Sequence, residues 1–161
     1  MIKLGFSLQS SYTAPMDEVL RLLRELGFYA VSLLWQRGGP LDTIMDAAAR
    51  YGLAAQSLHG PVRGIPAMWS RDDRCSAPLL QDFLDAADAC ALYGVPILVV
   101  HSWSGLEYTF REDDLYFGNF DTLIAYAQRK GIQIAFENLE GPEYLSALMD
   151  HYRDCPTVGF C

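Results

Sequence analysis

Three short apolar segments of the sequence each end in a residue that can bind a metal ion. LAAQSLH ends at His59, PILVVH ends at His101, and IQIAFE ends at Glu137, which Asn138 follows. Imidazole nitrogen and carboxylate oxygen are the donors that a borderline divalent cation such as zinc, manganese or cobalt accepts. The pattern therefore predicts a metal site built from His59, His101 and Glu137.

A purely structural interpretation is also open, in which each polar residue marks the point where a buried strand reaches the surface. Three such endings on successive strands favour the functional interpretation, because the carboxyl ends of parallel strands meet at one edge of a sheet or barrel. We expect the side chains of His59, His101 and Glu137 to line one cavity at that edge.

The segments between these strands have the pattern of helices. A unit of helix, glycine, apolar strand and polar loop recurs, and glycines end four of the helices at Gly27, Gly52, Gly94 and Gly131. Helices that alternate with buried strands indicate a parallel sheet with right-handed crossovers. Polar or aromatic residues follow every strand and the GxGxxG and GxxxxGK[ST] motifs are absent, which favours a (β/α)8 barrel over a doubly wound sheet.

The two longest loops are expected to flank the same cavity. They run from Gly60 to Ala77 and from Ser102 to Arg111. Ser76 is expected to cap the third helix, and the fourth helix is expected from about Asp113 to Lys130. The first strand is expected at Ile2 to Leu8.

Length and composition indicate one globular domain of 161 residues. Asp and Glu outnumber Lys and Arg by 20 to 12, which gives a net charge of −8. This charge offers no electrostatic basis for binding nucleic acid or an anionic membrane. The sequence has no membrane-spanning run and no signal-peptide pattern, and its four cysteines lack CxxC spacing. We expect a cytoplasmic protein with reduced thiols.

The ordered set of motifs Leu58-His59-Gly60-Pro61, Val99-Val100-His101 and Ala135-Phe136-Glu137-Asn138-Leu139 resembles the xylose isomerase-like barrel superfamily. That superfamily includes sugar and sugar-phosphate isomerases and epimerases, inosose dehydratases and type IV apurinic endonucleases. The resemblance covers the whole chain. It implies that Glu137 is a catalytic residue and a ligand of a divalent metal, which would be Mn, Co, Mg or Zn.

The resemblance implies two alternative roles for the histidines. In endonuclease-like members, His59 and His101 would hold a further metal that shares the glutamate, whereas in many epimerase-like members they line the substrate pocket. Glu143 has the spacing of a substrate-binding carboxylate, although a glutamate at a helix start is also favoured by the helix dipole. Trp103 is a candidate for stacking on a sugar ring, with core packing as the alternative.

The chain departs from the superfamily pattern at its end. It holds five βα units and the opening of a sixth strand, VGFC, whereas a full barrel needs about 250 residues. The remaining metal-binding Asp, His and Glu of the superfamily would lie beyond Cys161. We therefore expect the N-terminal portion of a barrel. If this chain is the whole molecule, its first and sixth strands are open edges that association of copies into a homo-oligomer would have to cover.

The function implied by the resemblance is a metal-dependent isomerase or epimerase that acts on a small sugar or sugar phosphate through an enediolate. One alternative is an endonuclease IV-like metal-dependent phosphodiesterase, against which the acidic composition argues. The other alternative is a non-catalytic remnant. Because the downstream ligands are missing, we expect the 161-residue chain itself to have negligible isomerase activity and weak metal binding.

Overall fold

A computed structural model of the protein describes residues 3–9, 11–106 and 108–161, so Ile2 of the expected first strand lies outside the described residues. Strands alternate with helices along the chain. The strands are β1 Gly5–Ser7, β2 Ala30–Leu34, β3 Ala54–His59, β4 Ile97–His101, β5 Gln133–Glu137 and β6 Val158–Phe160. The α-helices are α1 Met16–Glu25, α2 Leu41–Arg50, α3 Asp73–Tyr93, α4 Gly118–Arg129 and α5 Pro142–His151. Within the described residues, each helix is too short or too polar to cross a bilayer.

The strands form one sheet whose order is the order of the chain, from β1 to β6. Every neighbouring pair is parallel. Each crossover therefore steps in the same direction, and the described sheet has no point at which the strand order reverses, as it would in a doubly wound fold. The predicted architecture is confirmed: the chain forms five βα units and a sixth strand of a (β/α)8 barrel.

The two faces of the sheet differ in burial, as the residues of β5 show. Ile134 and Phe136 are buried on the helix-covered face, whereas Ala135 and Glu137 are half-buried. Because side chains alternate along a strand, Glu137 must lie on the opposite, inner face. The core between sheet and helices includes fully buried residues from both layers: Leu20, Leu33, Leu58, Phe83, Leu98, Phe120, Leu123 and Leu148.

The third and fourth helices begin at residues other than those expected. The Asp72 carboxylate accepts a hydrogen bond of 3.0 Å from the backbone N–H of Arg74 and caps α3. Ser76 is not the cap: it lies inside the helix, and its hydroxyl donates to the carbonyl oxygen of Asp72 at 3.4 Å. The expected helix from Asp113 is split, because Leu115 has an extended backbone conformation after a short 3₁₀ helix at Glu112–Asp114. The continuous helix α4 starts at Gly118.

Within the described sheet, β1 and β6 each pair on one side only. Their outer edges present backbone N–H and C=O groups that strand pairing does not satisfy, as expected from the number of strands. The association of copies through these edges stays a prediction.

Candidate metal centre

The three predicted ligands come together at the carboxyl ends of three consecutive strands. His59 ends β3, His101 ends β4 and Glu137 ends β5, and His101 is the register partner of Glu137. One nitrogen from each histidine and one carboxylate oxygen all lie within 4.8 Å of one another. Among the residues that the structure describes, this is the group of His, Cys, Asp and Glu side chains arranged closely enough to hold a metal ion.

Glu137 connects the two histidines. Its Oε2 lies 2.7 Å from Nε2 of His59 and 3.9 Å from Nδ1 of His101, and the two imidazole ring centroids are 4.6 Å apart. The Glu137 side chain is 37% exposed whereas that of His101 is 6% exposed. The carboxylate therefore stands between the buried histidine and the opening of the site.

Both ring nitrogens of His59 face hydrogen-bond acceptors. Nε2 lies 2.7 Å from the Glu137 carboxylate and Nδ1 lies 3.3 Å from the carbonyl oxygen of Gly60. A proton on Nε2 serves the shorter contact; if a cation replaced that proton, Nδ1 would carry the hydrogen of the neutral ring and donate it to the Gly60 carbonyl. A hydrogen bond from the second ring nitrogen to a carbonyl is the usual way in which a metal-ligating histidine is oriented.

His101 provides an independent observation on the same site. Its Nδ1 is buried and has no hydrogen-bond partner among the described residues, an arrangement that costs about 1–3 kcal/mol when nothing compensates it. Burial lowers the pKa of His101, and the nearby His59 lowers it further. The neutral ring that this favours is the form that binds metals.

The donor set therefore fits a divalent cation. Two imidazole nitrogens and one carboxylate match the three-ligand sets of catalytic zinc sites, which leave a position for water or substrate. A cation bound between them would account for the buried His101 nitrogen without a partner and for the carboxylate within reach of two histidines.

The other two predicted site residues lie on the same edge of the sheet, outside this group of three. Glu143 is exposed in the first turn of α5, and its Oε2 accepts a hydrogen bond of 3.0 Å from the Tyr108 hydroxyl. Trp103 is half-buried and stacks on Tyr144 with ring centroids 4.2 Å apart and an angle of 10° between the planes. A substrate-binding role for Glu143 and Trp103 stays a prediction.

The two long loops meet above β3 and β4. The indole N–H of Trp69 donates to the carbonyl oxygen of Ser102 at 2.9 Å, and the Asn119 amide donates to the carbonyl oxygens of Met68 and Ser70 at 2.9 and 3.0 Å. The first loop also contains a 3₁₀ helix at Ile65–Trp69. The first bond joins the two loops, and the Asn119 bonds attach the first loop to α4, in which Asn119 lies.

Sequence reasoning did not find the role of Tyr144, which is 3% exposed and lies under Trp103. Gly141 allows this contact, because a Cβ there would lie 2.9 Å from the Tyr144 ring and 3.2 Å from Trp103. The signal available in the sequence was a glycine three residues after Asn138 and a tyrosine six residues after it.

Three solved structures show the same fold. A 3-keto-D-glucoside 4-epimerase from E. coli is 16% identical, with a TM-score of 0.76, and the match covers 99% of this chain and 67% of that chain. A xylose isomerase-like TIM barrel protein from Mycobacterium smegmatis in complex with magnesium is 20% identical, with a TM-score of 0.65 and coverage of 92% and 56%. An AP endonuclease, family 2, from Brucella melitensis is 22% identical, with a TM-score of 0.67 and coverage of 99% and 67%.

The chain thus spans between 56% and 67% of the length of these three proteins. The comparison with curated proteins gave no match. The family model described as xylose isomerase-like TIM barrel matches residues 20–161, which is most of the sequence. On this evidence, the chain belongs to the xylose isomerase-like TIM barrel family.

Proposed function

We propose that this chain provides part of the metal site of a sugar or sugar-phosphate isomerase or epimerase. The observation that carries the proposal is the convergence of His59, His101 and Glu137 within 4.8 Å at the carboxyl ends of β3, β4 and β5. In barrels of this kind, reactive groups are taken from the ends of several strands.

Each residue has a distinct task in this proposal. His59, His101 and Glu137 would hold the cation, and Glu137 would additionally orient the hydroxyl next to the reacting carbon. A divalent cation held there would supply polarisation of a substrate carbonyl, which eases proton transfer at the neighbouring carbon. Glu143 accepts hydrogen bonds from sugar hydroxyls, and Trp103 offers an aromatic face beside the ring.

Two structural neighbours support the substrate class and the cofactor. The E. coli protein is an epimerase of a 3-keto-D-glucoside, and the M. smegmatis protein binds magnesium. These two proteins share the fold of this chain. The residues that could bind a metal are identified in this chain itself, as the cluster of His59, His101 and Glu137. We further propose that the substrate is a neutral sugar or a sugar phosphate. The metal is Mn, Co, Mg or Zn.

The test is hydrogen exchange at the reacting carbon in a longer natural polypeptide that contains this chain. Incubated in D₂O with Mn²⁺, Co²⁺, Mg²⁺ or Zn²⁺, the protein is expected to introduce deuterium into members of a panel of ketoses and ketose phosphates. Glu137→Gln should abolish this exchange, while Glu18→Gln on the exposed face of α1 leaves it intact. Metal-independent exchange, or exchange that survives Glu137→Gln, would refute the proposal.

A phosphodiesterase that acts on abasic DNA is the second candidate. It is favoured by the shared position of Glu137 between both histidines and by the fold likeness to the Brucella protein. The net charge of −8 disfavours it, because DNA-binding proteins neutralise phosphates with Lys and Arg. Incision of a duplex with one abasic site, under the same metals, separates the two functions, and a protein inactive in both assays would be the non-catalytic remnant.

A further inference from the structure

An open cleft of about 490 Å³ lies beside the metal centre, between the loops that follow β3 and β4. Its lining residues come from the 3₁₀ helix and the turn after it, from the loop after β4 and from α5. They are Pro66, Trp69, Ser70, Arg71, Asp72, Trp103, Thr109, Asp113, Asp114 and Tyr144. None of the three candidate metal ligands belongs to this lining, so the cleft is a separate site.

Aromatic rings form the apolar part of the cleft. Trp103 and Tyr144 are stacked at 4.2 Å, and Trp69 packs against Tyr144 with ring centroids 5.0 Å apart. The indole N–H groups of Trp69 and Trp103 are used by the carbonyl oxygens of Ser102 and Gly105. These bonds hold the two indoles in place, and because Trp69 and Tyr144 are 6% and 3% exposed, the half-buried Trp103 provides most of the ring surface that a ligand can reach.

The polar part of the cleft contains groups that can still accept a hydrogen bond. Tyr144 lines the cleft although it is only 3% exposed. Asp114, whose charge helps burial to raise the pKa of Tyr144, is exposed like Asp113, and neither carboxylate forms an ion pair within the described ranges. Asp72, in contrast, is occupied by Arg74.

The charges of the cleft restrict its occupant. Two free carboxylates face one guanidinium, and Arg71 is already anchored by the carbonyl oxygen of Leu115 at 3.4 Å and by the Tyr116 ring at 5.1 Å. An anion such as a phosphate would be repelled by Asp113 and Asp114. A neutral ligand with an apolar face and several hydroxyl groups satisfies both the rings and the acceptors.

We propose that this cleft binds a neutral sugar ring, which is the second unit of an extended, glycosylated substrate. The inference rests on the proposed function, since the reacting unit would occupy the metal centre. The spacing is suitable, because Trp103 in the cleft follows His101 in the centre by two residues and their Cα atoms are at most about 7 Å apart. The enzyme would then prefer a glycoside or disaccharide to a free phosphorylated sugar.

Binding to the protein in EDTA tests the cleft without the metal centre. Saturation-transfer NMR and calorimetry with cellobiose and maltose should detect binding, and glucose 6-phosphate should bind at least about tenfold more weakly. Asp114→Asn and Trp103→Ala should each lower the disaccharide affinity about tenfold, which corresponds to about 1.4 kcal/mol. Asp46→Asn, an equally exposed carboxylate on α2, should bind as the wild type does.

The outcomes separate this inference from the proposed function. Disaccharide binding that survives Glu137→Gln supports a cleft independent of the metal ligands. A protein that binds Mn²⁺ and carries out the exchange reaction but binds neither disaccharide would overturn the inference alone. Preferred binding of glucose 6-phosphate, or equal losses in Asp114→Asn and Asp46→Asn, would overturn it as well.

Discussion

The Glu137 carboxylate and the His59 imidazole, 2.7 Å apart, belong to strands that are not neighbours. β4 lies between β3 and β5, and two inter-strand spacings of about 4.8 Å place the two backbones about 10 Å apart. The contact is made by the length of the two side chains, which meet above His101. A glutamate and a histidine are long enough to do this.

Shortening that carboxylate without removing its charge should therefore break the centre. We expect Glu137→Asp to weaken Mn²⁺ binding about 10- to 100-fold, in the range measured for disturbed metal sites, because the oxygen is withdrawn by one methylene from His59. Calorimetric titration of a longer natural polypeptide that contains this chain measures this. Glu18→Asp, on the exposed face of α1, serves as the control, and an unchanged affinity in Glu137→Asp would contradict the geometry.

Replacing His101 distinguishes the two roles that the histidines have in this family. We expect His101→Gln to lower Mn²⁺ affinity about tenfold or more with little loss of thermal stability, because Nδ1 has no partner in the described structure that could be lost. The alternative is a pocket-lining histidine. That role predicts an unchanged metal affinity together with a raised KM for the sugar.

Gly141 and Gly131 form a matched pair for measuring the cost of the aromatic cluster. Both have positive φ, +63° and +72°, but a Cβ at Gly131 meets nothing within 4 Å whereas one at Gly141 collides with Tyr144 and Trp103. Gly131→Ala should cost about 1–2 kcal/mol for the backbone alone. Gly141→Ala should cost about 1–3 kcal/mol more. Denaturant unfolding measures both costs, and equal costs would mean that Tyr144 and Trp103 move aside without loss of stability.

Tyr152 should make stability depend on alkaline pH. Burial, followed by its 2.7 Å hydrogen bond to Asp121, raises the pKa of Tyr152 above its ordinary value. The folded state therefore keeps a proton that the unfolded chain releases, so this contribution is complete below about pH 10 and is lost as the pH rises toward the folded pKa. Tyr152→Phe should lower the free energy of unfolding by about 1 kcal/mol at pH 7 and should reduce its decline above pH 10. Denaturant unfolding at a series of pH values measures both effects, and parallel stability curves for the variant and the wild type would exclude this explanation.

The 161-residue chain alone should turn over ketoses negligibly. It supplies three candidate ligands and, by the family resemblance, the remaining Asp, His and Glu would lie beyond Cys161. The base opposite Glu137 would be missing together with them. Turnover of ketoses by this chain is assayed with manganese, cobalt, magnesium and zinc. Robust turnover would show that the further ligands and the second base are not needed.

The parallel sheet could be predicted from the sequence because glycines at helix ends and apolar strand segments are local patterns that recur along the chain. His59, His101 and Glu137 could be placed together because parallel strands deliver their carboxyl ends to one edge. The start of α3 at Asp73 was missed because Asp72 and Ser76 are both good caps, and the choice depends on the packing of the preceding loop. The hydrogen bond from Trp69 to Ser102 joins residues 33 positions apart, which no local pattern reveals.

The order of the strands also has a consequence for the folding pathway. Each strand pairs with strands that adjoin it in sequence, so the described sheet can grow by addition of one βα unit at a time, with short loop closures at each step. The metal centre needs β3, β4 and β5, which lie within residues 54–137. We expect it to assemble as soon as these three strands have paired, without waiting for β1 or β6, in an order that pulsed hydrogen exchange can follow.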